Sequence, residues 1–187
     1  MTKAGRLSPY FFNAGLIYDG ASLRQLADFY AEAIVQSKIK FDILFGPAYK
    51  GITLAAATAM MLSERSLNKN FAYSRKEIKD HGEGGNLVGA PLTGQVLIID
   101  DVISSSRSIR ESISLIQKSG ASPCGVVLSL DRMEKGNGEL SATAEISQEY
   151  GIPVFAIANV HDLLALIQQN PSCLLYTSDA ADDTPCV

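Results

Sequence analysis

Four short apolar runs constrain this chain more than anything else in it: residues 41–45 (FDILF), 96–99 (VLII), 126–130 (VVLSL) and 154–157 (VFAI). A strand with one face in water alternates apolar and polar side chains. These runs do not, so each is expected to be a strand buried on both faces. Helical periodicity fills the intervals, at 22–36, 52–63, 108–118, 141–150 and 161–169, with Ser22 placed as an N-cap and Gly120 and Gly151 as stops. Strands and helices in alternation specify an α/β fold, a mainly parallel central sheet flanked by helices. Residues 7–20 mix aromatic and turn residues and are expected to form a strand or hairpin beside that sheet. No internal repeat interrupts the pattern, and 187 residues that are 47% hydrophobic supply one core of ordinary size, hence a single domain over 1–172.

Two segments fall outside this pattern. Residues 76–90, KEIKDHGEGGNLVGA, carry four glycines, mixed charges and no apolar period, and are expected to form a flexible surface loop. A loop of that length in a compact domain is usually functional or disordered. Residues 173–187 contain three Asp and no Lys or Arg, and the string CLLYTSDAADD resembles a translated sequencing-library adapter. This stretch is read as a non-native tail, with a native disordered tail as the alternative.

Charge and composition narrow the function. Sixteen basic against twenty acidic residues leave a net charge of −4, which argues against a sequence-independent nucleic-acid surface and favours a small ligand. No apolar run reaches the roughly 18 residues of a membrane-spanning helix, and no signal-like segment opens the chain, so a cytoplasmic location is expected. Cys124 stands apart from Cys173 and Cys186, which supports neither a disulfide framework nor a zinc site. Any metal would be held by oxygen.

The segment 96–109, VLIIDDVISSSRSI, carries the clearest chemistry: a buried strand, two adjacent acids, a short polar turn and a helix. At the carboxyl end of a parallel strand, the turn and helix N-terminus present N–H groups and a positive dipole end to a phosphate. Asp100 and Asp101 are placed to accept hydrogen bonds from vicinal ribose hydroxyls, directly or through magnesium-bound water. An isolated Asp-Asp pair would more often only solvate a strand end; the strand before it and the polar turn after it reverse that preference. Two other phosphate motifs fail. GPAYKGIT (46–53) has Ile52 where a P-loop needs lysine, and the glycine cluster at 82–85 has Leu87 where a dinucleotide fingerprint needs its third glycine. Arg75, Lys76, Lys79 and His81 gather four potential cations at the loop, where they could neutralise charge on a departing pyrophosphate, with Gly82, Gly84 and Gly85 supplying hinge freedom. Without further context a solvated polar loop would be the simpler reading of those cations.

PYFFNAG (9–15), FGPAYKGI (45–52), RKEIKDHGEGGNLVG (75–89), the Asp100–Asp101 strand and SLDR (129–132) occur in that order and resemble bacterial-type orotate phosphoribosyltransferases over residues 3–172. The resemblance implies the type I phosphoribosyltransferase fold with a flexible catalytic loop. It also implies a homodimer whose loop reaches into the neighbouring subunit's site. The implied reaction joins orotate to phosphoribosyl pyrophosphate (PRPP), giving orotidine monophosphate and pyrophosphate in pyrimidine (UMP) biosynthesis. Mg²⁺ would be held mainly by PRPP and waters rather than by direct protein ligands.

Carried over position by position, the resemblance gives catalytic roles to Lys79, His81, Asp100 and Asp101. PRPP contacts fall on Lys3, Tyr49, Lys50, Arg75, Lys76, Lys79 and His81, and on the run Asp100, Asp101, Val102, Ile103, Ser104, Ser105, Ser106, Arg107 and Ser108. Phe11, Phe12 and Ser104 line the implied orotate pocket, with Arg132 on the orotate carboxylate; outside this context the two aromatics would read as core and Arg132 as a surface cation. The phosphate turn departs from the family pattern of Thr, small residue, Gly, Thr, small residue. Ser106 stands where glycine lets backbone approach phosphate, and Arg107 either adds charge there or blocks the cradle. A helix that family members carry before the first PRPP contact is expected to be missing, as is their closing helix. Two alternatives keep the fold and change the function: a non-catalytic PRPP-binding regulator, which would want a basic face, and a purine phosphoribosyltransferase, which should lack the paired aromatics and Arg132.

Overall fold

The computed structural model describes residues 12–79, 85–103, 106–136 and 138–169. Six strands form one sheet in the order β3-β2-β1-β4-β5-β6: β1 (Ile43–Gly46), β2 (Asn70–Lys79), β3 (Gly85–Gly89), β4 (Gln95–Asp100), β5 (Ser122–Asp131) and β6 (Val154–Asn159). All neighbours run parallel except β2 and β3. Helices α1 (Gly20–Ser37), α2 (Lys50–Glu64), α3 (Arg107–Lys118), α4 (Ala142–Tyr150) and α5 (Val160–Gln169) connect or flank the strands.

The unalternating apolar runs are explained by the packing. Alternate residues of a strand point to opposite faces. In β4, Val96 and Ile98 join Ile109, Ile113 and Ile116 of α3 and Ile146 of α4 in one buried cluster. Leu97 and Ile99 face the other way, against Ala27, Tyr30 and Ile34 of α1 and Leu54 and Leu62 of α2. Each such side chain removed from water contributes about 1.5–3 kcal/mol before the entropy of ordering it is counted. Helix α3 buries Ile109, Ser112, Ile113 and Ile116, the spacing of a single helical face.

Three expectations from sequence need correction. The N-cap of α1 is Asp19, not Ser22: its Oδ1 accepts from the N–H groups of Ala21 (2.9 Å) and Ser22 (3.0 Å), while the Ser22 hydroxyl donates to Oδ2 at 2.6 Å. A carboxylate can serve both orphan amides, and Ser22 is left to brace it. The expected loop over 76–90 is shorter than its composition suggests, because β2 continues through Lys79 and β3 resumes at Gly85, paired antiparallel with an irregularity between Ser74 and Lys79. At the sheet edge, backbone ladder bonds hold the hairpin without an apolar period. Of 7–20, residues 12–20 contain no strand; Ala14–Leu16 form a 3-10 turn capped by the Asn13 side chain, and α1 begins at Gly20. Residues 7–11, the centre of the loop at 80–84, and the tail lie outside the described residues.

Candidate active site

The chain leaves β1 toward β2 on one side, and β4 then packs on the other side of β1. The crevice at such a reversal, beyond the carboxyl ends of the strands, is where open α/β sheets bind ligands. The turn from β1 into α2 is built on Gly46 and Gly51. A Cβ on Gly46 would sit 1.9 Å from the Gly51 carbonyl oxygen, and one on Gly51 would meet Gly46 backbone at 2.9 Å, so neither position admits a side chain. That close approach delivers Tyr49 and Lys50 to the crevice. The Ser74 hydroxyl accepts from the Ala48 N–H at 3.1 Å, tying this turn to β2. Lys76 of β2 lies over the Tyr49 ring, its Nζ 4.6 Å from the centroid, so two expected PRPP contacts from separate elements come together.

Across the crevice, β4 ends in Asp100 and Asp101 follows it, 9% and 7% exposed. Lys50 Nζ donates to Asp101 Oδ2 at 2.7 Å. The Asp101 N–H donates to Asp100 Oδ1 (3.0 Å) and the Val102 N–H to Asp101 Oδ1 (2.8 Å). Burial, with the neighbouring Asp101 charge, pushes the Asp100 carboxyl up to about 7. Behind the acids, the buried Tyr30 hydroxyl of α1 donates to the Asp100 carbonyl at 2.8 Å.

The turn after the acids leads to α3 through buried Ile103 and Ser106. Ser106 is left-handed, with φ 54 and ψ −3, and caps nothing with its side chain. Among the described residues its buried hydroxyl has no hydrogen-bond partner. This backbone explains why a glycine suits the position. The Arg107 side chain is 84% exposed and pairs with Glu111 one turn on (2.8 Å). Ser108, the second residue of α3, has its hydroxyl 3.5 Å from Asp100 Oδ2. Ser104 and Ser105 lie outside the described residues.

Arg132 follows the end of β5 and is 8% exposed, unlike an ordinary surface cation. It donates to Glu134 Oε1 at 2.5 Å. Phe12 and Arg75 are half-buried, and the backbone of Lys79 closes β2. Lys3, Phe11 and His81 lie outside the described residues. The sequence pointed to neither Tyr30 nor Glu134, and took in Ser129 only as the first residue of SLDR; the spacing of Glu134 from Arg132 is the one signal for the former pair. A cleft of about 350 Å³ lined by Phe41, Asp42, Lys69 and Gln95 opens at the opposite, amino end of β1 and β4 and contains none of the candidate residues. Among the described residues no three His, Cys, Asp or Glu side chains converge as a metal cage.

The family model described as "Phosphoribosyl transferase domain" matches residues 14–149. An orotate phosphoribosyltransferase of Neisseria meningitidis serogroup C is 68% identical over 170 residues, covering 91% of this chain and 80% of the relative. One from Laribacter hongkongensis is 63% identical over 171 residues, with the same coverage of each. The crystal structure of orotate phosphoribosyltransferase from Francisella tularensis superimposes with a TM-score of 0.80 at 45% identity, covering 90% of this chain and 82% of that one.

Proposed function

This chain belongs to the phosphoribosyltransferase family as an orotate phosphoribosyltransferase, and from that premise we propose how its residues divide the transfer of the phosphoribosyl group from PRPP to orotate. The reading rests above all on the buried Asp100–Asp101 pair facing Lys50 at the mouth of the crevice. In the transfer, a ring nitrogen of orotate forms a bond to the anomeric carbon as the bond to pyrophosphate breaks. Asp100 and Asp101 accept from the ribose hydroxyls and offset positive charge on the sugar ring. The α3 N-terminus, with Ser104, Ser105, Ser106 and Ser108, receives the 5′-phosphate, while Tyr49, Lys50, Arg75 and Lys76 contact the pyrophosphate end, joined by Lys3. Lys79 and His81 meet the departing pyrophosphate and neutralise or protonate it. Phe11 and Phe12 stack against orotate, and Arg132 exchanges its Glu134 partner for the orotate carboxylate.

Mg²⁺ would be held mainly by PRPP and water oxygens, with Asp100 and Asp101 placed to accept from its bound waters. Bound there, Mg²⁺ would supply charge neutralisation for the pyrophosphate. A homodimer with shared sites fits the apolar surface at Leu16, Tyr18 and Met60, all largely exposed. No helix among the described residues is long and apolar enough to cross a membrane, which is compatible with a cytoplasmic enzyme.

The test is pyrophosphate release from PRPP and Mg²⁺ with orotate, adenine, hypoxanthine or no base. Release with orotate alone is expected. Comparable release with a purine overturns the orotate assignment, and none with any base would favour a binding-only protein.

A further inference from the structure

Tyr30 sits in the middle of α1 among Ala27, Ala31, Ile34, Leu54 and Leu97, a setting in which phenylalanine would pack as well. It is fully buried, so its hydroxyl must find partners inside the protein. It donates to the Asp100 carbonyl at 2.8 Å and lies 2.5 Å from the Ser129 hydroxyl of β5. The single phenolic proton is committed to the carbonyl, which cannot donate, so Ser129 donates to the phenolic oxygen. Ser129 holds the next residue as well: its N–H donates to the Asp101 carbonyl at 2.9 Å.

The position of this network matters. The ladder between β1 and β4 stops at Phe45 and Ile98, two residues short of Asp100, so the end of β4 lacks a strand partner on that flank where the acids leave the sheet. Asp101 is held from β5 by Ser129 and Leu130, and Asp100 is held from α1 by Tyr30. We propose that Tyr30, with Ser129, is a positioning residue that fixes the height and direction of the Asp100–Asp101 pair from behind the sheet. The inference rests on the reading of those acids as the ribose-holding groups. Neither residue touches substrate; both act through the backbone of the residues that do.

Tyr30→Phe keeps the packing and removes the bond. Turnover is expected to fall about tenfold and the KM for PRPP to rise severalfold, since a displacement approaching 1 Å can cost up to about 10²-fold, while the KM for orotate stays within about twofold. Rates are measured on the full chain, well below each variant's melting midpoint. Tyr30→Phe also strands the Ser129 hydroxyl, so the double variant Tyr30→Phe/Ser129→Ala should regain thermal stability over Tyr30→Phe without regaining turnover. A merely structural role would let activity follow stability. Ser129→Ala alone, which leaves the Tyr30 bond in place, should show a smaller loss in the same direction and serves if Tyr30→Phe does not fold. Asp101→Asn tests the underlying reading. If Asp101→Asn is crippled while Tyr30→Phe, or Ser129→Ala in its place, matches the parent in turnover and PRPP KM, positioning is overturned and the ribose reading stands. If Asp101→Asn is itself silent, both fall.

Discussion

Replacing Ser106 with glycine should make the protein more stable, an uncommon direction for a change beside an active site. Ser106 holds φ 54 and ψ −3, a left-handed conformation that costs a residue with a Cβ roughly 1–2 kcal/mol. Its buried hydroxyl has no partner among the described residues, a loss of about 1–3 kcal/mol relative to a solvated one. Glycine removes both terms and gives back about 0.5–1 kcal/mol through the freedom it adds to the unfolded chain. A net gain of about 1–4 kcal/mol corresponds to a rise of about 2–16 °C in melting midpoint for a chain of this length. The assay is thermal unfolding of the free protein followed by circular dichroism, with Ser106→Ala alongside. Alanine removes the hydroxyl but keeps the backbone strain, so it should capture only part of the gain. PRPP affinity should hold or improve, because the backbone can then approach a phosphate more closely. A Ser106→Gly midpoint at or below the parent's would refute the reasoning, and an alanine variant equal to glycine would refute the part assigned to φ.

Because Asp100 is raised to about 7, its proton is held more tightly in the folded than in the unfolded state. Its contribution is therefore full below about pH 4 and lost as pH rises toward 7, so the free protein should be more stable at pH 6 than at pH 8 by about 1 kcal/mol from this group. Asp100→Asn should shrink that difference, and melts at both pH values showing it unchanged would contradict the assignment. Arg132→Ala should raise the KM for orotate far more than that for PRPP, since it removes a charge-assisted contact to one substrate; equal effects in steady-state kinetics would place Arg132 elsewhere. Lys79→Ala should lower turnover roughly a hundredfold while PRPP affinity stays within about tenfold, as for a group that acts on transition-state charge, and unchanged turnover would remove it from that role. Ending the chain at Ser172 should leave the melting midpoint within about 4 °C, and a larger fall would mean that 173–187 are packed.

The strands and helices were legible where burial on both faces left its mark. Val96 to Ile99 reads as strand because Val96 and Ile98 meet α3 while Leu97 and Ile99 meet α1 and α2, so no position stays polar. The β2–β3 hairpin was illegible because main-chain bonds along an edge impose no side-chain period. Asp100 and Asp101 were legible through the strand that precedes them. Tyr30 was not: on a helix face beside Ala27, Ala31 and Ile34 it reads as one more core aromatic, and its partners lie 70 and 99 positions away. The Lys50–Asp101 pair is hidden for the same reason, being joined only by the fold. The Arg107 rotamer was equally beyond reach, since solvent and Glu111 draw it outward in a way that no local pattern encodes.

The sheet order has a consequence for how the protein comes into being. The central ladder pairs Ile43 with Val96, across the whole β2–β3 hairpin, and β5 joins only afterwards in the chain. Closing such loops costs entropy before any contact repays it, so these pairings belong to the slow part of folding. A chain emerging from the ribosome as far as α3 already contains Lys50, Asp100 and Asp101, yet it lacks Ser129 and the flank of β5 that steadies the acids. Asp101 is thus synthesised some thirty residues before Ser129 and Leu130, which hold its carbonyl, and until β5 docks, a collapsed chain carries the right side chains without the geometry to use them.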